Sequence, residues 1–194
     1  GTAIHACFEQ VKWLDQQLPD RVQLTNIVRE IVQEQMNAEE ILDVFYRSCE
    51  QPDVLAALSF AAYQQPRETL NNPHLRSAVH CPNDAKVSPL QWEIHGERRF
   101  SVLSKPDTLL QGSMDRLTLL YDVSDKQRRI LGADILDFKS DRVTSNATLT
   151  SRVQFYSPQL QEYQKAAAIM FRLDKEQISA RLMFTSVGKV VRVK

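Results

Sequence analysis

Long hydrophobic runs, a surplus of charge of either sign and paired cysteines are all missing from this sequence. No stretch approaches the ~20 consecutive apolar residues that a helix needs to cross a bilayer, which excludes a membrane span of that kind. Basic and acidic side chains balance at 24 each, with a sequence pI near 7.1. The whole-chain field therefore offers no general attraction to nucleic acid or anionic lipid, and a nucleic-acid function would need a local site or another domain. Cys7, Cys49 and Cys81 are odd in number and widely spaced, form no CxxC pair and follow no secretory signal. That pattern points to a reducing cytoplasm and argues against an iron–sulfur cluster or a zinc knuckle. Repeats and low-complexity segments are absent too.

What is there suffices for one ordinary domain. With 194 residues, 22.3 kDa and 43% apolar side chains, a chain of this size should bury roughly 70% of its unfolded surface without disulfides or structural metal. The opening Gly1-Thr2, followed at once by helical periodicity, reads as the start of an excised piece of something larger.

The expected organisation is a helical lobe over 1–65, an irregular connection over 66–89 and a sheet-and-helix core over 90–194. In the lobe, Ile4, Phe8, Val11 and Leu14 recur at spacings of three and four, which predicts a first helix stopped by Pro19. Ile27, Val28, Ile31 and Val32 follow Thr25, a candidate N-cap. Asn37 and Glu40 resemble a capping box before Ile41, Leu42, Val44 and Phe45, and Pro52-Asp53 restarts a short helix through Leu55, Leu58 and Tyr63. Pro66, Pro73, Pro82 and Pro89 break any period in the connection. Beyond it the period shifts towards two, and segments 90–95, 98–103, 108–121 and 129–138, punctuated by Gly96, Gly112 and Asp125, predict a meander joined by tight turns. Tyr156–Leu173 predicts a helix with Leu160, Tyr163, Ala167 and Met170 on one side and Pro158 in its first turn. Strands at 179–187 and 189–193 close the chain. The fold class that results is α/β, a mixed central sheet flanked by helices.

The segment richest in chemistry is Ile135-Leu136-Asp137-Phe138-Lys139, at the end of an apolar strand. Alternation puts Asp137 and Lys139 on one face and Leu136 and Phe138 on the other. A carboxylate beside an ammonium can bind a hard cation and set a positive group next to its water. Two acidic-x-Lys triplets occur, this one and Asp84-Ala85-Lys86, where chance gives about one. The second lies in the proline-rich connection, so context selects the first. Asp115, at the start of the preceding strand, can lie beside Asp137 and complete an oxygen-rich Mg²⁺ site, since a divalent ion removes the repulsion of the two carboxylates. Alternatively it pairs with Arg116 or a turn amide at the surface. His5 is either a ligand or an ordinary surface or core histidine. Glu97 is either a solvated strand charge or another acidic group at the site. Gln159 and Tyr163, four apart, share one helix face, either at the site or as a packed tyrosine beside a solvent-facing glutamine.

In order along the chain, Gly1-x-x-x-His5, Glu97-x-x-Phe100, Gly112-x-x-Asp115-Arg116-Leu117, Asp137-Phe138-Lys139 and Tyr156-x-x-Gln159-Leu160-x-x-Tyr163 resemble the motif series of RecB/AddA-type nuclease domains, which belong to the PD-(D/E)xK superfamily. The resemblance spans Gly1 to about Phe184. It implies a restriction-endonuclease-like fold and a Mg²⁺- or Mn²⁺-dependent deoxyribonuclease. It further implies action on single-stranded DNA delivered by a covalently attached UvrD/Rep-like helicase, with a second nuclease-helicase subunit as a further partner, in double-strand break repair and recombination. His5, Asp115, Asp137 and the backbone carbonyl of Phe138 would ligate the metal, Lys139 would orient the attacking water, and Gln159 and Tyr163 would position the substrate. Glu97 is the possible additional acidic group.

The branch of the family that carries an iron–sulfur cluster has cysteines after the helix bearing Gln159 and Tyr163. None follows Cys81 here, so that cluster is not expected. Arg142, Arg152, Lys165, Lys189, Arg192 and Lys194 are candidate local DNA contacts. Charge neutrality leaves most of the grip to an attached helicase or partner. The alternatives are a catalytically silent DNA-binding or protein-docking module of the same fold, or a stand-alone exonuclease.

Overall fold

A computed structural model describes residues 2–32, 37–64, 90–124 and 128–193. The lobe consists of α1 (Thr2–Glu9), α2 (Arg21–Ile31), α3 (Ala38–Cys49), α4 (Pro52–Leu58) and α5 (Phe60–Gln64). The rest is β1 (Leu90–Lys105), β2 (Thr108–Asp122), β3 (Arg129–Lys139), the long helix α6 (Asn146–Phe171), a 3₁₀ turn at Lys175–Gln177, β4 (Ile178–Phe184) and β5 (Lys189–Arg192). The sheet runs in chain order from β1 to β5. It is antiparallel from β1 through β3, parallel between β3 and β4, and antiparallel again at β5. The parallel pair requires a crossover, and α6 supplies it.

Alternation along β3 builds a three-layer molecule. Leu136 and Phe138 join Met183 in a core with Ile4, Phe8, Leu24, Leu42 and Phe45 of the lobe. Ile135 joins Leu117, Leu182 and Phe184 against Leu160, Tyr163 and Ala167 of α6. The mixed sheet flanked by helices is thus the α/β architecture expected. Cys7 and Cys49 are free and buried in the lobe core.

Several boundaries differ from the sequence reading for identifiable reasons. The first helix ends at Glu9, and Val11 reaches the core from beyond it. Asp20, not Thr25, caps α2 by accepting from the Gln23 amide; Thr25 lies inside the helix, its hydroxyl donating to the Arg21 carbonyl. Asn37 does cap α3, through the Glu39 amide. Strands 90–95 and 98–103 are one continuous strand. The break at Gly96 is absorbed by a left-handed Glu97 (φ 48°), with Gly96 paired to Arg116 and Arg98 to Met114 on either side.

Gly112 sits inside β2 instead of interrupting it. A Cβ there would come within 2.9 Å of the Phe100 ring and 3.1 Å of the Tyr163 ring, so glycine is set by close packing. Helix α6 starts at Asn146, capped by Ser145, which puts Pro158 in its interior. Gln154, whose carbonyl a residue-158 amide would have met, is exposed, so water can satisfy it. The irregular connection at 66–89, with the Asp84-Ala85-Lys86 triplet, Asp125, Cys81, Gly1 and Lys194, lies outside the described residues.

Candidate active site

The site lies where β2 and β3 part. Their ladder runs from Asp122↔Arg129 to Arg116↔Leu136. β3 continues beyond that point, paired only with β4 as far as Lys139↔Phe184. The Phe138 amide, which would have continued the ladder, donates instead to Asp115 Oδ2 at 2.7 Å. A residue in a strand turns its amide and carbonyl to the same neighbour, so the Phe138 carbonyl opens on to the same gap.

Met114 and Leu117 both pack on the α6 side although they are three residues apart, so the alternation slips at Asp115, opposite the left-handed Glu97. Asp115 therefore does not pair with Arg116. That arginine points into the lobe and donates to the carbonyls of Val11 (2.6 Å) and Lys12 (2.5 Å).

α1 brings His5 to this gap, its Nδ1 3.9 Å from Asp115 Oδ2 and its ring edge-on to Phe138, 6.0 Å between centroids. Burial pulls the His5 pKa down, with the Asp137 charge opposing and the Lys139 charge assisting. At neutral pH the imidazole is uncharged and open to a cation.

Asp137 is 2% exposed. Burial and then the Asp115 charge push its carboxyl up to about 6, against Lys139 and His5. Asp115 is raised as well, by burial, despite the Phe138 amide and Lys139. Lys139 Nζ stands 2.6 Å from Asp137 Oδ2, donates to Gln159 Oε1 at 3.1 Å and lies 4.2 Å from the centre of the Tyr156 ring. The Gln159 amide donates to the Tyr163 hydroxyl at 2.9 Å. Tyr163 is itself buried against Phe100 and Gly112, so it reaches the site through Gln159.

The fold thus brings His5, Asp115, Asp137, Phe138, Lys139 and Gln159 around one gap. Glu97 stands at its margin. It pairs with a residue that the sequence reading passed over, Glu9, four after His5 on the same helix face. Burial, the Glu97 charge and a hydrogen bond with Glu97 raise the Glu9 carboxyl. A second group gathers beside the gap. The Tyr156 hydroxyl donates to Asp141 Oδ2 at 2.9 Å, and Arg152 Nε lies 3.3 Å from Asp141 Oδ1. Tyr156, in the motif series, and Arg152, a candidate DNA contact, are visible in the sequence, whereas Asp141, in the loop after β3, carries no signal there.

The donor set suits a hard divalent cation: two carboxylates, a neutral imidazole and a free carbonyl. His5 Nε2 is buried without a hydrogen-bond partner, and the Asp137 carboxyl stays raised, by burial first and the Asp115 charge second, although Lys139 Nζ is ion-paired to its Oδ2 at 2.6 Å. Among the described residues no three His, Cys, Asp or Glu side chains already form a ligating cluster. The groups stand in pairs, His5 with Asp115 and Asp137 with Lys139.

A mixed sheet flanked by helices, with carboxylate-x-lysine at the edge where two central strands part, defines the restriction-endonuclease-like class. The family model of the PD-(D/E)XK nuclease superfamily matches residues 1–193, and the chain belongs to that superfamily. Membership makes it a nuclease, a hydrolase of nucleic-acid phosphodiesters, in a group that generally uses divalent metals such as Mg²⁺. No curated protein matches the chain significantly. No helix among the described residues is long and apolar enough to cross a membrane.

Proposed function

We propose that the protein is a Mg²⁺- or Mn²⁺-dependent deoxyribonuclease of the RecB/AddA type. It would hydrolyse single-stranded DNA delivered by an attached UvrD/Rep-like helicase during double-strand break repair and recombination. The observation that carries the catalytic part is the convergence on one gap of His5, whose Nε2 is buried without a hydrogen-bond partner, with Asp115 and the Asp137–Lys139 ion pair. His5, Asp115, Asp137 and the Phe138 carbonyl would hold the ion, which when bound lowers the pKa of water and offsets charge on the phosphoryl oxygens.

The chain's own side chains do the rest. Lys139 steers the attacking water and stabilises charge on the phosphate. Gln159, fixed by Tyr163, keeps the Lys139 ammonium directed into the gap. His5, held neutral by burial, leaves its lone pair free, and Asp115 braces the Phe138 backbone. The neutral charge of the chain and the motif order support the helicase context.

Lys139→Ala and Asp137→Ala should each lower metal-dependent cleavage of single-stranded DNA by at least ~100-fold while circular dichroism and the melting temperature report an intact fold. Undiminished cleavage by either variant would sink the assignment. The paired arrangement of the donors favours one rival, a silent DNA-binding module. Calorimetric titration with Mn²⁺ separates the two, since failure to bind metal even with DNA present supports the rival.

A further inference from the structure

Phe155 is 69% exposed, as exposed as any large hydrophobic side chain among the described residues. Single exposed apolar residues are ordinary, but the surroundings of this one are not. On α6 it lies three residues after Arg152 and four before Gln159, so the three share a helix face. Its ring stands edge-on to Tyr156, 5.0 Å between centroids at 82°. Tyr156 in turn lies under Lys139 Nζ at 4.2 Å, with its hydroxyl tied to Asp141. Two ring contacts therefore connect the proposed catalytic lysine to a surface aromatic. The edge contact braces the Phe155 ring while its exposed side stays open to solvent. Arg152, tied to Asp141 at 3.3 Å, is fixed one turn away.

We propose that Phe155 is a stacking platform for an unpaired DNA base next to the scissile phosphate, and that Arg152 holds the neighbouring backbone phosphate. Every base has a π-face, and stacking on an aromatic side chain is worth ~1–3 kcal/mol per base without regard to sequence. A base paired within a duplex has its faces covered by its neighbours, so the platform engages only single strands or frayed ends. Arg152 adds charge complementarity to the strand, and Gln159, on the same face, joins the platform to the site. The inference rests on the nuclease reading for its placement, and it names the device that makes that site prefer unpaired DNA.

The test is equilibrium binding without divalent metal, using oligonucleotides that carry 2-aminopurine at successive positions. The wild-type chain should quench the probe sharply at one position. Phe155→Ala should abolish that quench and weaken single-strand affinity about tenfold, with binding to a blunt duplex and the melting temperature unchanged. Phe155→Trp should restore the quench. Wild-type affinity and quench in Phe155→Ala, or equal losses for duplex and single strand, overturn the platform. A platform that survives in a chain showing no metal-dependent cleavage overturns the nuclease reading and leaves the stacking inference standing. Cleavage indifferent to Phe155, with no position-specific quench, does the reverse.

Discussion

Asp137 meets opposed demands, since a ligand must be ionised whereas its buried setting favours the proton. In the unfolded chain an aspartate titrates near ~4; here burial and the Asp115 charge push it up to about 6. A raised carboxyl favours the protonated fold, so the contribution of Asp137 to the stability of the metal-free protein is full below about pH 4, falls as pH rises through about 6 and stays lost above, whereas the lowered His5 imidazole contributes with the opposite sign. Asp137→Asn should therefore raise the unfolding free energy of the metal-free protein at pH 8 by roughly 1–3 kcal/mol while abolishing cleavage. Adding Mn²⁺ should stabilise the wild type and not the variant, because only the wild type gains binding free energy. Urea denaturation with EDTA and with Mn²⁺ checks both arms, and an equal or lower stability for the variant in EDTA would show that Lys139 already neutralises the carboxylate. The alternation of Asp137 and Lys139 was legible from the sequence because a strand's period is two. The grip of Asp115 on the Phe138 amide was not. It depends on where the β2–β3 ladder stops, and a register is a property of two strands together.

At the scale of elements, Gly112 ties β2 to α6. A Cβ at that position meets the Phe100 and Tyr163 rings, and Tyr163 holds Gln159, which holds Lys139. Gly112→Ala should lower stability by ~1–3 kcal/mol through overpacking and reduce kcat more than substrate affinity, since the displaced ring misaligns Gln159. Chemical denaturation and single-turnover rates read the two effects. The glycine's place in the motif was visible in the sequence, but its role was not, because the rings it admits come from β1 and α6. Element types were legible wherever local periodicity was decisive, as in α3, β2 and the C-terminal half of α6. They failed where tertiary context overrode a local signal. Pro158 reads as a helix start, yet Ser145 caps the helix thirteen residues earlier and the exposed Gln154 side lets it continue past the proline. Gly96 reads as a turn, yet pairing with β2 on both sides of Glu97 carries the strand through.

For the molecule as a whole, two arrangements join the layers and limit what the isolated chain can do. The lobe is fastened to the sheet by a buried network in which Arg181 donates to both Asp134 oxygens and to the Tyr63 hydroxyl, and Tyr63 donates to Asp134 at 2.6 Å. Arg181→Ala would leave the buried Asp134 without a cation and should cost about 3–5 kcal/mol, measurable by denaturation. The second arrangement is electrostatic. With 24 charges of each sign, grip on DNA must come from individual cations instead of the whole-chain field. Lys165 is bound to Glu162 at 2.5 Å and Lys189 to Asp53 at 3.2 Å, while Arg142 and Arg192 are exposed and Arg152 shares Asp141 with Tyr156. Each phosphate neutralised on a single strand steepens the fall of log affinity with log salt by about 0.7, so Arg142 and Arg192, together with Arg152 in its proposed phosphate-holding role, give a slope near −2. Arg142→Glu and Arg192→Glu should each flatten it by about 0.7, and binding isotherms between 50 and 200 mM salt, at roughly constant Mg²⁺, provide the measurement. A slope far steeper than −2 for this chain alone would mean that it carries its own full DNA-binding surface, and would remove the need for a helicase to hold the strand.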